Sequence, residues 1–377
     1  MPQIINMARQ PHLVRIAICH RAFVMSDAIG HDILGMYSLL SEMGFDVAVL
    51  GEFFDRSAGA DVKFIPVSAT EATLFDLIIY HHSINWAVGE KFLRNVRGTV
   101  VFRYHSITPP AFLQPYSTAY ANECAVGIQQ TVRLLQHHRN WAHWMATSHF
   151  SRNELLTCGA DPSRVSVVPP FTLVADYFAL GNLQDVREVK ALFIGRFVPN
   201  KAHRDLIKIV HSYLHHIDDG IILELVGTLD DNFRAYFDEL QGLVDGLGIR
   251  DHVQMKIAVS HDDLAELLRS STVFLCCSVH EGFCVPVIEA QAAGVPVISV
   301  NAGALSETLG PGQVVCDLPE TSSDYLFYAY VIREVVRNLE LRRMLIANAH
   351  SNVIRRFSPE AVENQFLASL LPALTLQ

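Results

Sequence analysis

A chain of 377 residues is longer than one ordinary core requires and suits two domains of roughly 150–200 residues each. Half of it is hydrophobic and 18% is charged, which excludes a disordered or low-complexity chain. Its formal charge of −10 excludes a nucleic-acid binder, which needs a basic face for the phosphates.

Mean hydropathy is +0.23, yet no run of about 18 uncharged apolar residues offers a bilayer span. The apolar stretches are short, as at 273–277 and 295–300, and read as parallel strands covered on both faces. Charge is uneven: residues 1–180 hold 13 basic and 14 acidic side chains, residues 181–377 hold 16 and 25. The seven cysteines show no C-x-x-C spacing. Together with the absence of a charged start followed by an apolar run, this points to the reducing cytosol.

In chain order, strands are expected at 14–19 and 46–51, around a loop with Asp27 and Gly30 and a helix over 32–44. Strands at 75–81 and 99–105 flank a helix over 86–98; a strand at 143–148, a helix after it and a strand at 164–170 complete the series. Residues 171–189 show neither period. A second series follows with strands at 189–196, 221–227, 252–255, 272–278 and 295–300, then a helical tail beyond 320. The expected domains are therefore 1–180 and 181–355, with 356–377 packing back on the first. Ligands of open α/β sheets bind beyond the carboxyl ends of the strands, so a ligand is expected between two such domains.

Arg196 follows a strand directly and Lys201 sits where the next helix begins, an arrangement suited to a diphosphate; solvated surface cations are the plainer reading. Neither G-x-x-x-x-G-K-[ST] nor G-x-G-x-x-G occurs. In residues 278–299, Glu281 lies in a loop after a strand and Glu289 in the first turns of a helix that Pro286 starts. Two carboxylates with loop amides between them suit a polyhydroxylated ligand, although either glutamate alone reads equally well as a surface residue.

The string HEGFCVPVIEAQAAGVPVI (280–298) resembles the signature of retaining GT-B glycosyltransferases, family 4 in particular, and GRFVPNKAHRDLI (195–207) resembles the Gly-Arg…Lys segment of the same family. The resemblance covers 189–310 well and the first half in outline. It implies two Rossmann-like domains facing a cleft and a nucleotide diphosphate sugar donor held mainly by the second. It assigns catalysis to Glu281, Arg196, Lys201 and His105, and donor binding to Gly30, Gly282, Phe283, Cys284, Val285, Glu289 and Ile257. A front-face, retaining reaction needs no carboxylate nucleophile; no Asp-x-Asp pair occurs, and neither cofactor nor metal is expected. His105 reads equally as a structural histidine, and His82 and Ser83, with His81, are weaker acceptor-side candidates.

Four departures stand out. Gly30 lacks an adjacent glycine; Pro-Pro-Phe-Thr (169–172) replaces Asn-Gly-Val-Asp; Lys256-Ile257-Ala258 replaces the common glycine and clouds base recognition; and Lys201-Ala202 replaces Lys-Gly. The acceptor implied is a saccharide or lipid-linked saccharide in surface glycan synthesis, met in the cytosol or at the inner face of the membrane. Segment 128–145, with Arg133, Arg139, Trp141 and Trp144, reads as an ordinary half-buried helix before an interfacial one. A GT-B epimerase and a non-catalytic sugar-nucleotide binding protein are the alternative readings.

Overall fold

The computed structural model describes residues 14–25, 27–55, 61–138, 142–178, 188–217 and 220–374. Its residues form two compact units: 1–107, 123–173 and 359–377 in the first, 108–122 and 174–358 in the second. A single cut near 180 does not describe this division, because 108–122 counts with the second unit. Residues 179–187 of the expected joint, like Arg139 and Trp141, lie outside the described residues.

In the first unit, β1 (Arg15–Cys19), β2 (Ala22–Phe23), β3 (Asp46–Gly51), β4 (Phe53–Phe54), β5 (Phe64–Pro66), β6 (Leu77–His82), β7 (Thr99–Tyr104), β8 (His143–Ala146) and β9 (Val165–Val167) are the strands. Seven form a parallel sheet in the order β5-β3-β1-β6-β7-β8-β9, and β2 pairs with β4. Ile16, Ile18, Val49, Ile79 and Val101 are fully buried, as expected for β-branched strands covered on both faces. The sequence pattern missed β2, β4 and β5, whose two or three residues show no period.

Helix α1 (Ala28–Glu42) begins four residues before the expected start. Asp27 caps it, Oδ1 accepting from the Gly30 amide at 2.6 Å, and Ile33, Met36 and Leu40 form its buried stripe. Helices α2 (Ala87–Leu93), α3 (Pro110–Leu113), α4 (Thr118–His137) and α5 (His149–Thr157) follow in the chain, α3 and the first residues of α4 counting with the second unit.

The second unit holds β10 (Val189–Ile194), β11 (Ile221–Gly227), β12 (Val253–Ile257), β13 (Val273–Cys276), β14 (Val297–Val300) and β15 (Val314–Cys316), all parallel in the order β12-β11-β10-β13-β14-β15. Its helices are α6 (His203–His216), α7 (Arg234–Gly246), α8 (His261–Ser270), α9 (Val285–Ala292), α10 (Leu305–Leu309), α11 (Ser322–Arg337) and α12 (Leu339–Arg356). Both sheets reverse direction of growth beside their first strand, the doubly wound arrangement that leaves a crevice at the strands' carboxyl ends.

Helix α13 (Pro359–Leu374) belongs to the first unit, where Val362, Phe366 and Leu370 enter the core with Ile16, Met36 and Met145. Segment 128–145 holds the end of α4 and most of β8. Trp144 is buried and stacked on Phe102, and Arg133 pairs with Glu90 at 3.0 Å. Two of the four residues of the interfacial reading are thus engaged within the unit, Trp144 in its core and Arg133 in an ion pair. Among the described residues, no helix is long and apolar enough to cross a membrane.

Candidate active site

In the second unit, the loops after β10 and β13 are joined by hydrogen bonds. The Val279 amide donates to the Asn200 carbonyl at 2.9 Å, and the Asn200 side-chain amide donates to the His280 carbonyl at 3.3 Å. This seam carries Lys201, in a short 3-10 turn (Pro199–Lys201), to Glu281: Nζ lies 2.5 Å from Oε1. Burial works against the Lys201 ammonium, but the adjacent carboxylate outweighs it and holds the pKa above its ordinary value. The pair is a cation and an anion fixed in a nearly dry loop junction. Behind it, the Ala304 amide donates to the Glu281 carbonyl at 2.9 Å and the Thr308 hydroxyl to the Phe283 carbonyl at 2.5 Å, so the carbonyls of loop 278–284 are anchored by the segment of α10.

Two of the departures have a visible cost. Ala202 adopts φ 55° and Ala258 φ 54°, the left-handed region where glycine is at ease and an L side chain is strained. The turns keep their shape without the glycine. Gly227 is required for another reason: a Cβ there would stand 1.9 Å from the Gly195 carbonyl oxygen.

Arg196 takes a different neighbour from Lys201. Its Nη1 donates to the Tyr120 hydroxyl at 3.2 Å, from a residue of the 108–122 segment. Cys284 precedes α9 at φ 76°, and Gly282, Phe283, Cys284 and Val285 run into the helix with Pro286 in its first turn. Glu289 lies in the second turn, 6% exposed; burial pushes its carboxyl up to about 7. Ile257 ends β12 with 44% of its surface exposed.

In the first unit the geometry corrects two expectations. Gly30 is in the first turn of α1, not in a loop. Its amide is taken by Asp27, and a Cβ would meet the Val24 carbonyl oxygen at 1.8 Å. Close packing within the unit by itself calls for a glycine here. His82 is 1% exposed and bonds the Thr131 hydroxyl at 2.8 Å; burial lowers its pKa to about 4. It is an internal residue and does not line an acceptor surface. Ser83 hydrogen-bonds His20 at 3.1 Å.

His105 stands at the end of β7 beside His81, the rings stacked and Nε2 2.9 Å from His81 Nδ1. Under them lies Asp32, wholly buried, its Oδ2 3.7 Å from His105 and 2.8 Å from Arg103 Nε. The Phe171 amide donates to Asp32 Oδ1 at 2.9 Å, and Arg103 Nη1 donates to the Val168 carbonyl at 2.6 Å. The Pro-Pro-Phe-Thr departure thus supplies a ligand to a buried carboxylate. Burial raises the Asp32 carboxyl against the opposing Arg103 charge. Burial, then neighbouring positive groups, depresses both His81 and His105 far below the usual imidazole range, so both rings are neutral at pH 7.

Sequence reasoning missed Asp32, Arg103, Asn200 and Tyr120. The first two carried a usable signal: a charged residue inside an otherwise apolar helix face or strand demands a partner. Asn200 and Tyr120 act through contacts 80 and 76 positions away, which no local pattern announces.

Residues 182–352 match the family model "Glycosyl transferases group 1". Among similar curated proteins are a "GDP-Man:Man(3)GlcNAc(2)-PP-Dol alpha-1,2-mannosyltransferase" of Dictyostelium discoideum, 29% identical over 52% of this chain and 39% of its own, and a "D-inositol 3-phosphate glycosyltransferase" of Streptomyces scabiei, 34% identical over 41% and 37%. The chain thus spans about two fifths of the length of the curated relatives it matches. Anabaena HepE in complex with UDP and glucose superposes with a TM-score of 0.75 at 16% identity, covering 95% of this chain and 100% of that one. Sucrose-phosphate synthase from Thermosynechococcus elongatus gives 0.76 at 19% identity over 97% and 100%. These likenesses establish the GT-B fold.

Proposed function

From the match of residues 182–352 to the group 1 glycosyl transferases, we propose that the chain moves a hexose from a nucleotide diphosphate sugar to a hydroxyl of a saccharide or lipid-linked saccharide. The observation that carries this reading is the Lys201–Glu281 pair, fixed at 2.5 Å between two strand-end loops of that segment.

The charge that develops in the reaction sits on the departing diphosphate. An ammonium fixed beforehand in a low-dielectric site stabilises that charge without reorganising at the moment of bond breaking. Lys201 supplies it, and Arg196, one loop position away from β10, supplies the second cation. Glu281 keeps Lys201 charged and offers its other oxygen to hydroxyls of the sugar, a division of labour available to a carboxylate because it has about four acceptor sites. Glu289, deep in the first turns of α9, is suited to a ribose diol, which can both donate to a carboxylate and accept from a carboxyl. His105, neutral and backed by His81 and Asp32, is suited to meet a sugar hydroxyl as a hydrogen-bonding group and not as a cation.

The bond from the anomeric carbon to the diphosphate breaks and that to the acceptor oxygen forms on the same face, with retention; the departing nucleoside diphosphate takes the acceptor proton, and no metal takes part. The names of the relatives and neighbours point to GDP- and UDP-linked donors, and to lipid-linked and inositol phosphate acceptors. A panel of nucleotide sugars with saccharide and lipid-linked acceptors tests the reading. Nucleoside diphosphate is released only when donor and acceptor are both present. Folded protein that binds and turns over none of the panel overturns it; turnover without an acceptor makes the protein an epimerase or hydrolase instead.

A further inference from the structure

Three soft or anionic side chains meet under the Lys201–Glu281 pair. The Cys276 Sγ, the Cys284 Sγ and a Glu281 carboxylate oxygen all lie within 4.8 Å of one another. Cys276 ends β13, Cys284 precedes α9, and Glu281 comes from the loop between them. Cys276 is wholly buried, while Glu281 and Cys284 are 7% and 8% exposed, so the cluster is closed on the strand side and reachable on the loop side. The Cys276 thiol donates to the Ser278 hydroxyl at 3.6 Å, and the closeness of the two thiols lowers the Cys276 pKa and raises that of Cys284.

From this geometry we infer that Cys276, Cys284 and Glu281 form a site for one thiophilic divalent cation of the Zn2+ class, whose binding takes Glu281 from Lys201. A tetrahedral ion with metal–sulfur bonds of about 2.3 Å holds its ligand atoms about 3.7 Å apart. Donors already within 4.8 Å reach that spacing by movements of about 1 Å, within side-chain rotation. The two thiols surrender their protons to solvent as the bonds form. Two thiolates and a carboxylate then balance the divalent ion together with the Lys201 ammonium, so the junction is left without net charge. Three protein ligands leave the fourth position open, and soft sulfur discriminates against Mg2+ and Ca2+.

Cys284 sharpens the case. It holds φ 76°, which glycine adopts without strain; a cysteine there keeps a thiol where the backbone gains nothing from it. The site also bears on activity, in a way that rests on the function proposed above. An ion seated on Glu281 leaves the sugar without its carboxylate, so donor and ion compete.

The test uses the full chain, kept reduced by a phosphine, titrated with Co2+ and Cd2+ and followed by the thiolate-to-metal charge-transfer band. One ion binds per chain, Mg2+ gives no response, and Cys276→Ser and Cys284→Gly each weaken binding at least about tenfold. Cys284→Gly relieves the backbone, so a folded variant is available even if Cys276→Ser misfolds. A band of unchanged affinity in Cys284→Gly, no band at all, or a Cys276–Cys284 disulfide formed in place of binding overturns the site. Thermal shift with nucleotide sugars in the presence and absence of Cd2+ reads the competition. If the ion binds but no donor does, the proposed function fails and the metal site stands. If both bind without affecting each other, the competition is refuted.

Discussion

Each unit buries a cation against a carboxylate, and the two pairs are built for different ends. Arg103 and Asp32 are both fully buried, and the protein supplies their partners: Val168, Phe171 and, at longer range, His81 and His105. Lys201 and Glu281 sit in loops, with side chains 16% and 8% exposed, and Glu281 presents one oxygen to Lys201. A buried pair satisfied from all sides holds structure in place. A pair left open on one side is prepared for a ligand. The contrast shows that burial of charge by itself says little; what matters is how many of its hydrogen bonds the chain has already filled.

The contrast breaks most visibly through Asp32. Asp32→Ala leaves a wholly buried guanidinium without its carboxylate and lowers stability by about 3–5 kcal/mol in denaturant unfolding. Lys201→Ala and Glu281→Ala act elsewhere: each lowers kcat about 10²- to 10³-fold, with a smaller loss of stability than Asp32→Ala. Equal stability losses in the two units would erase the distinction drawn here.

Glu289 sharpens it through pH. Its carboxyl rises from 4.5 to about 7 on folding, so between those values the folded state holds a proton that the unfolded chain has released. Stability from this group is present in full below pH 4.5 and is lost as pH rises through 7, amounting to about 3 kcal/mol. Glu289→Gln removes that slope: the variant gains on the wild type by about 3 kcal/mol between pH 4 and pH 8, measured by unfolding at each pH. The smallest effect is expected at Ala202, where Ala202→Gly relieves the left-handed strain and raises stability by about 1 kcal/mol.

The same contrast explains what could be read from the sequence. Lys201, Glu281 and Glu289 lie within short segments whose order and spacing follow strand, loop and helix, so a one-dimensional pattern preserves them. The Asp32 cluster draws on α1, the ends of β6 and β7, and the chain after β9; only three-dimensional pairing assembles it. Gly30 was placed in a loop because a glycine near a first strand fits two demands; the Val24 carbonyl at 1.8 Å from its would-be Cβ is a packing demand that the sequence does not show. His81 and His82 were separable in advance, since neighbours on a strand face opposite ways, but which of them joins His105 needed the register of β6 on β7. The parallel strands were legible from their apolar runs. The β2–β4 pair was not, because two residues carry no period.

Helix α13 carries a consequence for the order of events during synthesis. Phe366 and Leu370 complete a core whose other members include Ile16, Ile18 and Met36, yet they are translated more than three hundred residues later. A ribosome therefore finishes all of residues 174–358 before α13 can take its place in the first unit. Nascent chains ordinarily settle from the amino end onward; here the core of the earlier unit receives Val362, Phe366 and Leu370 only after the second unit has been made.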